Sequence, residues 1–398
     1  MSDKSDRESD EEEQEPTIKE DIVVTKYGMA AEIVNAVMKE VTAQCQADAV
    51  IGDICDFGDK LLAEKTGKVF KKEKDVKKGI AFPTCMSVNH CICHYSPLRS
   101  EAEVKLCDGD LVKIDMGAHI DGFIATAAQT LVIGASPNNK VTGRKADVIW
   151  AAYNGMEAAI RMLRPGQYKN MQITDTIQRV VESYNCKPVE NMLSHQLQRN
   201  KIDGEKQIIQ NPGEKERQDL KKCDIEQYEV YAIDILASSG EGKAREQDTR
   251  TTVYKKANDV VYQLKMKASR AFFSEAINRF GSMPFTLRAF EDEKKAKMGT
   301  VECEKHGLMK PYPVMYETRG ELVAQFKATV LVMPNGLLKI TGLPLDSAVY
   351  ESELKVEEEG LVKLLSSSLK PNKKKSKKKE PVSADKQNGA VKEIESQA

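Results

Sequence analysis

Apolar residues recur along this chain with two periods, and the switches between them lay out its elements. Ile33, Val37 and Val41 share one face of a helix over residues 28–47, opposite a mixed polar face. Residues 48–66 continue as a second helix that ends near Gly67. From residue 80 the pattern changes. Ile80-Ala81-Phe82-Pro83-Thr84 and Ser87 to His94 predict a strand with loops, and residues 110–133 predict a β-hairpin turning between Gly117 and Gly122. Helical periodicity returns over 143–164, stopped by Pro165-Gly166, and over 172–184. Glu229 to Leu236 is a strand closed by Ser238-Ser239-Gly240. Residues 264–299 predict a helical stretch rich in Lys and Arg. Val323 to Met333 is a strand stopped by Pro334-Asn335-Gly336, and residues 350–369 predict a last helix. This alternation gives an α/β (α+β) domain with a mostly antiparallel sheet. No internal repeat interrupts it.

Size and charge refine that outline. The 398 residues, 40% apolar and 30% charged, suit one large domain or two moderate ones with a sizeable core. The formal net charge of −1 hides a strong asymmetry. Residues 1–15 hold eight acids against Lys4 and Arg7, while the other end carries Lys373, Lys374, Lys375, Lys377, Lys378 and Lys379. Such like-charge blocks bury no apolar area, so residues 1–20 and 370–398 are expected to be disordered around a domain spanning 21–369. No apolar run approaches the roughly 18 to 20 residues of a membrane span, and the N-terminus lacks the apolar core of a secretory signal. The expectation is an intracellular protein with no membrane insertion. The nine cysteines include Cys85, Cys91, Cys93 and Cys107, close in sequence. No second C-x-x-C pair follows at zinc-ribbon distance, so they are taken as buried, reduced thiols, with no metal and no cofactor.

Polar residues set into the strands mark where chemistry would sit. Asp115 follows an apolar strand, Asp234 interrupts one, and His94 and His195 lie in loop-like contexts. Two carboxylates and two histidines in β contexts make a plausible site, although a buried strand Asp is often simply paired to a neighbour.

At this point the chain resembles a family. Ala81-Phe82-Pro83-Thr84, Asn89, His94-Tyr95, Lys113-Ile114-Asp115-Met116-Gly117, Gly122, Ser194-His195, Val230-Tyr231-Ala232-Ile233 and Ala324-Gln325-Phe326 follow the order and spacing of type 2 methionine aminopeptidases of the M24 peptidase family. The resemblance runs from about residue 20 to 345, and about 240–310 matches the helical insertion of the type 2 branch. It implies a pita-bread fold with two metal ions held by Asp, Asp, His, Glu and Glu. Carried over by resemblance, the first Asp is Asp115 and the His is His195. The second Asp falls on Thr126, the first Glu on Asp234 and the last Glu on Lys327. The family's substrate-facing histidine falls on His94, and a further active-site histidine on Asp203. An ammonium at Lys327 would repel a divalent ion by several kcal/mol, even at an effective dielectric of about 20. It is expected to pair with Asp115 and Asp234 instead, leaving a relic site without aminopeptidase activity.

A non-peptidase branch of the family shares this pattern. Membership would imply binding to RNA and the large ribosomal subunit, presence in cytoplasm, nucleus and nucleolus, a monomer, and roles in growth control. Protein partners such as an ErbB-type receptor tail or transcription regulators would also follow. The residues support nucleic acid independently. Lys68, Lys71, Lys72, Lys74, Lys77 and Lys78 form one basic segment. Lys265, Lys267 and Arg270, with Arg279, Arg288, Lys294, Lys295 and Lys297, form a second, and the lysine tail a third. Recognition of shape and backbone is the better fit, since no sequence-reading RNA module is apparent. Leu361, Leu364 and Leu365 form an L-x-x-L-L face, which suggests an alternative role as an interaction adaptor or transcriptional corepressor.

Overall fold

The computed structural model describes residues 15–370. In chain order its elements begin with helices α1 (Asp21–Gln44) and α2 (Ile51–Lys68) and strands β1 (Lys78–Val88), β2 (Cys91–Cys93), β3 (Leu111–Ile120) and β4 (Phe123–Val132). Helices α3 (Gly143–Met162) and α4 (Asn170–Glu182) follow, then strands β5 (Lys187–Pro188), β6 (Leu193–Leu197) and β7 (Gln207–Ile209) and the short helix α5 (Glu214–Asp219). The chain continues through β8 (Val230–Ser238), β9 (Arg245–Glu246), β10 (Val253–Lys256), helix α6 (Lys267–Phe280), β11 (Phe285–Thr286) and helix α7 (Glu293–Lys305). It ends with β12 (Met309–Tyr312), β13 (Met315–Tyr316), β14 (Val323–Met333), β15 (Gly336–Lys339) and helix α8 (Glu359–Leu365).

A single antiparallel path, β1-β3-β4-β14-β8-β6-β7, forms the main sheet, with β15 and β5 on its margins. Its alternation decides where the core and the site lie. On β3 the even positions Val112, Ile114, Met116, Ala118 and Ile120 pack against α1 and α2. On β8 the odd positions Tyr231, Ile233, Ile235 and Ala237 pack against α3 and α4, joined by Ala324, Phe326, Ala328 and Val330 of β14. All four helices therefore cover one face of the sheet. The period of two sends Asp115, Thr126, Asp234 and Lys327 to the other face, and a one-residue slip in β3, β8 or β14 would drive a charge into the helical core.

The β3–β4 hairpin turns at Asp121-Gly122, the last two residues of the expected Gly117–Gly122 turn, because β3 runs on to Ile120. Both turn residues have positive φ (55° and 80°), as a two-residue turn matched to strand twist requires. Gly117 lies inside β3 opposite Thr126. A Cβ there would stand 2.8 Å from the Thr126 methyl and 3.1 Å from the Ala125 carbonyl, so the strand needs glycine.

Three expectations are corrected. The stretch 264–299 is not one helix. Gly281 caps α6 with φ 60°, Pro284 follows, and the chain then forms β11 and a 3-10 turn at Leu287–Ala289 before α7. β11 pairs with β10, which pairs with β12, so the insert is a small α+β unit rather than purely helical. The last helix covers only Glu359–Leu365. Ahead of it the Val141–Tyr350 bridge and the Ser352 hydroxyl, donating to Asp147 at 2.6 Å, hold the chain extended along α3. At the other end, structure begins before residue 21, because Ile18 is 2% exposed and packs near Val23 and Tyr27. The lysine tail from residue 373 and the acidic residues 1–14 lie outside the described residues. Seven cysteines are buried, Cys223 is half-buried and Cys107 is exposed. None of the helices is long and apolar enough to cross a membrane, among the described residues.

Candidate functional site

Sheet register assembles the polar residues into one row. Asp115 on β3 sits opposite Ala128 on β4, Ala128 opposite Lys327 on β14, and Lys327 opposite Asp234 on β8. Asp115 and Lys327 are thus two strands apart, about 9.6 Å at the usual strand spacing. The methyl of Ala128 leaves room for the long lysine to lean across. Its Nζ stands 2.6 Å from Asp115 Oδ2 and 2.9 Å from Asp234 Oδ2. Gln325, two residues earlier on the same face, donates from Nε2 to Asp234 Oδ1 at 2.9 Å and reaches Asp115 Oδ2 at 3.4 Å. Gln325 had no role assigned from sequence, although its i−2 spacing from Lys327 on a strand would have placed it there.

Behind the row, Asp234 is fixed by its backbone. Its N–H donates to Ser194 Oγ at 2.9 Å, and its carbonyl accepts from Gln210 Nε2 at 3.0 Å. Burial raises the Asp234 carboxyl above its usual range; Lys327 opposes that rise and Asp115 adds to it. For Lys327 burial acts downward, but the two carboxylates outweigh it and hold the ammonium above the usual lysine range. It is therefore a fixed cation.

Lys327 and Asp234 of the row line a cleft of about 250 Å³ together with Phe82, His94, Thr126, Leu193, His195, Asp203 and Tyr312. His94 has positive φ (65°) and shares a hydrogen bond between Nδ1 and the Pro313 carbonyl at 3.0 Å. Its ring meets Tyr312 edge-on at 5.3 Å. Burial pushes the imidazole down to about 4, with Lys327 adding to the effect, so it is neutral near pH 7. His195 lies on β6 and is also lowered by burial, against the pull of Asp203. Asp203 itself is paired with Lys255 of β10, a partner that sequence reasoning missed. Two buried atoms of residues lining this space, Thr126 Oγ1 and His195 Nδ1, have no hydrogen-bond partner, and neither does Asp115 Oδ1 beneath Lys327. The structure thus brings together His94, Asp115, Thr126, His195, Asp234, Lys327 and Asp203. It offers no group of three or more His, Cys, Asp or Glu side chains arranged to hold a metal ion, among the described residues.

The metallopeptidase family M24 model matches residues 26–261. The chain belongs to that family. It is 50% identical to ERBB-3 binding protein 1 of Arabidopsis thaliana, over 85% of this chain and 84% of that one. It is 42% identical to proliferation-associated protein A of Dictyostelium discoideum, over 96% and 99%. It is also 42% identical to the curved DNA-binding protein of Schizosaccharomyces pombe, over 91% and 94%. The solved structure of a thermophilic Arx1 superposes with a TM-score of 0.82 at 31% identity, over 88% of this chain and 99% of that one. A methionine aminopeptidase from Thermotoga maritima superposes at 0.54 and 18% identity, which shares the fold. The expected pita-bread architecture and the expected kinship with ErbB-3-binding, proliferation-associated M24 proteins are both met.

Around this M24 core the expected binding residues scatter. Lys71, Lys72, Lys74 and Lys77 are exposed on the segment between α2 and β1. Lys68 pairs with Glu64 one turn back, and Lys78 is half-buried, donating to the Val69 and Phe70 carbonyls at the end of α2. Lys265, Lys267 and Arg270 are exposed at the start of α6. Arg288, expected among the basic residues that face nucleic acid, faces inward instead. It is 1% exposed and locked against α2, with Nε 3.0 Å from Asp56 Oδ1 and a second pair to Asp59. The leucine face is corrected too. Leu361 is 4% exposed, and Leu364 and Leu365 pack half-buried on the α3–β14 core. A leucine stripe covers apolar surface wherever it finds it, and here its own domain supplies that surface.

Proposed function

We propose that this chain is a catalytically inactive M24 protein that binds RNA and ribosomes and regulates translation, ribosome biogenesis and cell growth. It works in cytoplasm and nucleus, nucleolus included, and its protein partners include an ErbB-type receptor tail or transcription regulators. The observation that carries the inactive reading is the Lys327 ammonium, 2.6 and 2.9 Å from the two carboxylates of the row. Two divalent ions side by side need anionic oxygens to offset their mutual repulsion. Here the row supplies a fixed cation in their place, and Thr126 offers a neutral hydroxyl. The residues present do not fit a metal pair, and no hydrolytic step is derived through one. A short methionyl peptide incubated with the chain and added divalent metal is expected to stay intact. Metal-dependent methionine release that Asp115→Asn abolishes would refute this.

The RNA half rests on exposed lysines in two folded segments and on kinship with a protein named for binding curved DNA. It is tested by co-sedimentation with ribosomes over a salt series. The full chain is compared with one ending at Leu369 and one neutralised at Lys265, Lys267 and Arg270. Saturable binding that weakens steeply with salt is expected, and the neutralised chain should lose about two units of the log–log salt slope, at roughly 0.7 to 0.9 per phosphate contact. If only the tail truncation matters, the contact is generic charge attraction. If nothing sediments, the ribosome reading fails.

A further inference from the structure

The insert meets the main sheet along a seam that is not filled. α2 and the start of β1 form one wall, and the end of α6 with the turn after it forms the other. The cavity between them measures about 460 Å³, within the range of small-ligand sites. Its apolar side is built from Ile80, Pro83 and Pro284 beside Phe280 and Phe285. Phe280 stacks on Phe285 at 4.7 Å with planes 10° apart, and the Arg279 guanidinium lies 4.8 Å over the Phe280 ring. With Phe285 on one face of Phe280 and Arg279 over the other, the flat surface left for a planar ring is the outer face of the guanidinium.

Charge at the seam is unbalanced. Lys60, Lys78, Arg99, Arg279 and Arg288 line it against Asp56 and Asp59. Both acids are already committed. Asp56 is taken by Arg99 at 2.7 Å and Arg288 at 3.0 Å, with Lys60 further off at 3.4 Å, and Asp59 by Arg288 and by the Thr84 N–H at 2.7 Å. Outside the cavity Arg279 pairs with Glu275 at 2.7 Å and Arg99 reaches Glu293 at 3.8 Å, so the five cations face four acids. Lys78 has carbonyl partners, and no carboxylate pairs with it among the described residues. The mouth therefore favours an anionic group. His119 supplies a separate signal. It is 8% exposed, and its Nδ1 accepts the Gly122 N–H at 3.2 Å, which puts the proton on Nε2. That edge lies beside Gly79 on the cavity wall and has no protein acceptor among the described residues. Burial holds the imidazole down near 4, so Nε2 is a neutral donor at physiological pH.

We propose that the seam is a nucleotide site, with the base against the Phe280–Arg279 stack and the His119 donor, and the phosphate at Lys60 and Lys78. A fatty acid would leave the donor unused, and a bare polyphosphate would leave the apolar side unused. The site rests on the RNA reading above and sharpens it: one anchored nucleotide in a strand otherwise held by backbone charge.

The test uses the full chain, a fluorescent short oligoadenylate and AMP. Ala63 is exposed on α2 at the rim, so Ala63→Phe blocks the mouth without entering the core. Lys78→Gln removes the cation, and Lys265→Gln with Lys267→Gln serves as the comparison at the far end of α6, about 20 Å away. At constant salt, Ala63→Phe and Lys78→Gln are each expected to weaken oligoadenylate about tenfold and to abolish AMP binding, with Tm unchanged for Ala63→Phe. The comparison variant should lower only the salt slope. If Ala63→Phe keeps its Tm and binds both ligands like the parent chain, the seam proposal is overturned while RNA binding stands. If the chain binds no RNA but loses AMP on Ala63→Phe, the RNA reading fails and the nucleotide site survives. AMP binding that responds to Ala63→Phe while oligoadenylate does not assigns the seam to the free mononucleotide.

Discussion

Lys327 and Arg288 are both cations set between two acids, the first half-buried and the second fully buried, and they serve different ends. Lys327 joins Asp115 and Asp234 within one sheet, placed by register and by the small Ala128 between strands. Arg288 joins two units: it comes from the insert and meets Asp56 and Asp59 on α2. Their surroundings separate them further. Arg288 also donates to Ser96 Oγ and the Pro97 carbonyl, both at 2.9 Å, and only its Nε, close to Asp56 but poorly aligned, makes a charge contact without a hydrogen bond. Lys327 stands in an open cleft beside three orphaned polar atoms. A nearly satisfied cluster is a structural clamp. A cluster ringed by unmet hydrogen-bonding capacity keeps polar atoms available to a bound group.

The sharpest way to break the comparison is Lys327→Met. The variant leaves two buried carboxylates facing each other, and removing one partner of such a cluster costs about 3 to 5 kcal/mol. The pH dependence fixes the cause. Asp234 is already raised by burial, and without Lys327 it rises further. A carboxyl whose folded pKa exceeds its unfolded value contributes stability below the unfolded pKa and loses it as pH rises through the folded one. The gap between parent and variant in urea midpoints should therefore be small near pH 4 and large near pH 7. A gap independent of pH would mean the loss is one of packing, not charge.

Arg288→Met tests the clamp. Its cost is expected at about 3 kcal/mol or somewhat more, because Asp56 keeps Arg99 as a second partner. The readout differs from that of Lys327→Met. The loss should fall on the insert, as faster proteolysis between residues 257 and 266 and weaker amide protection in α6, while β3 and β14 keep theirs. Equal loosening of both regions would show that the two clusters are not separate.

The sequence laid out the main sheet closely and the insert poorly, and the physical reason is period. β3, β4, β8 and β14 have long apolar faces, so their alternation was legible, and with it the row of Asp115, Asp234 and Lys327. The pairing of Lys327 needed the family resemblance to suggest it and the register through Ala128 to explain it. The insert has two-residue strands and a 3-10 turn, too short for either period to emerge. Arg288 looked like a surface cation, because charge in a helical-looking run gives no sign of burial. Lys255 and Gln325 escaped notice because their partners lie far away in sequence: Asp203 is 52 residues from Lys255, and Asp234 is 91 from Gln325.

A neutral anchor sets the scale against which both clusters are measured. Leu361 buries its side chain on the α3–β14 core without any polar partner. Leu361→Ala should cost about 2 to 3 kcal/mol, the low end for a buried leucine because α8 is short, peripheral and able to settle inward. Val362→Ala, on the exposed side of the same helix, should stay within about 0.5 kcal/mol. Unlike the loss from Lys327→Met, the Leu361 loss should not change between pH 4 and 7, since nothing titrates with it. If Leu361→Ala instead leaves Tm untouched, α8 spends its time away from the core. The leucine face is then free in solution, and docking into a partner's groove becomes the better account of that helix.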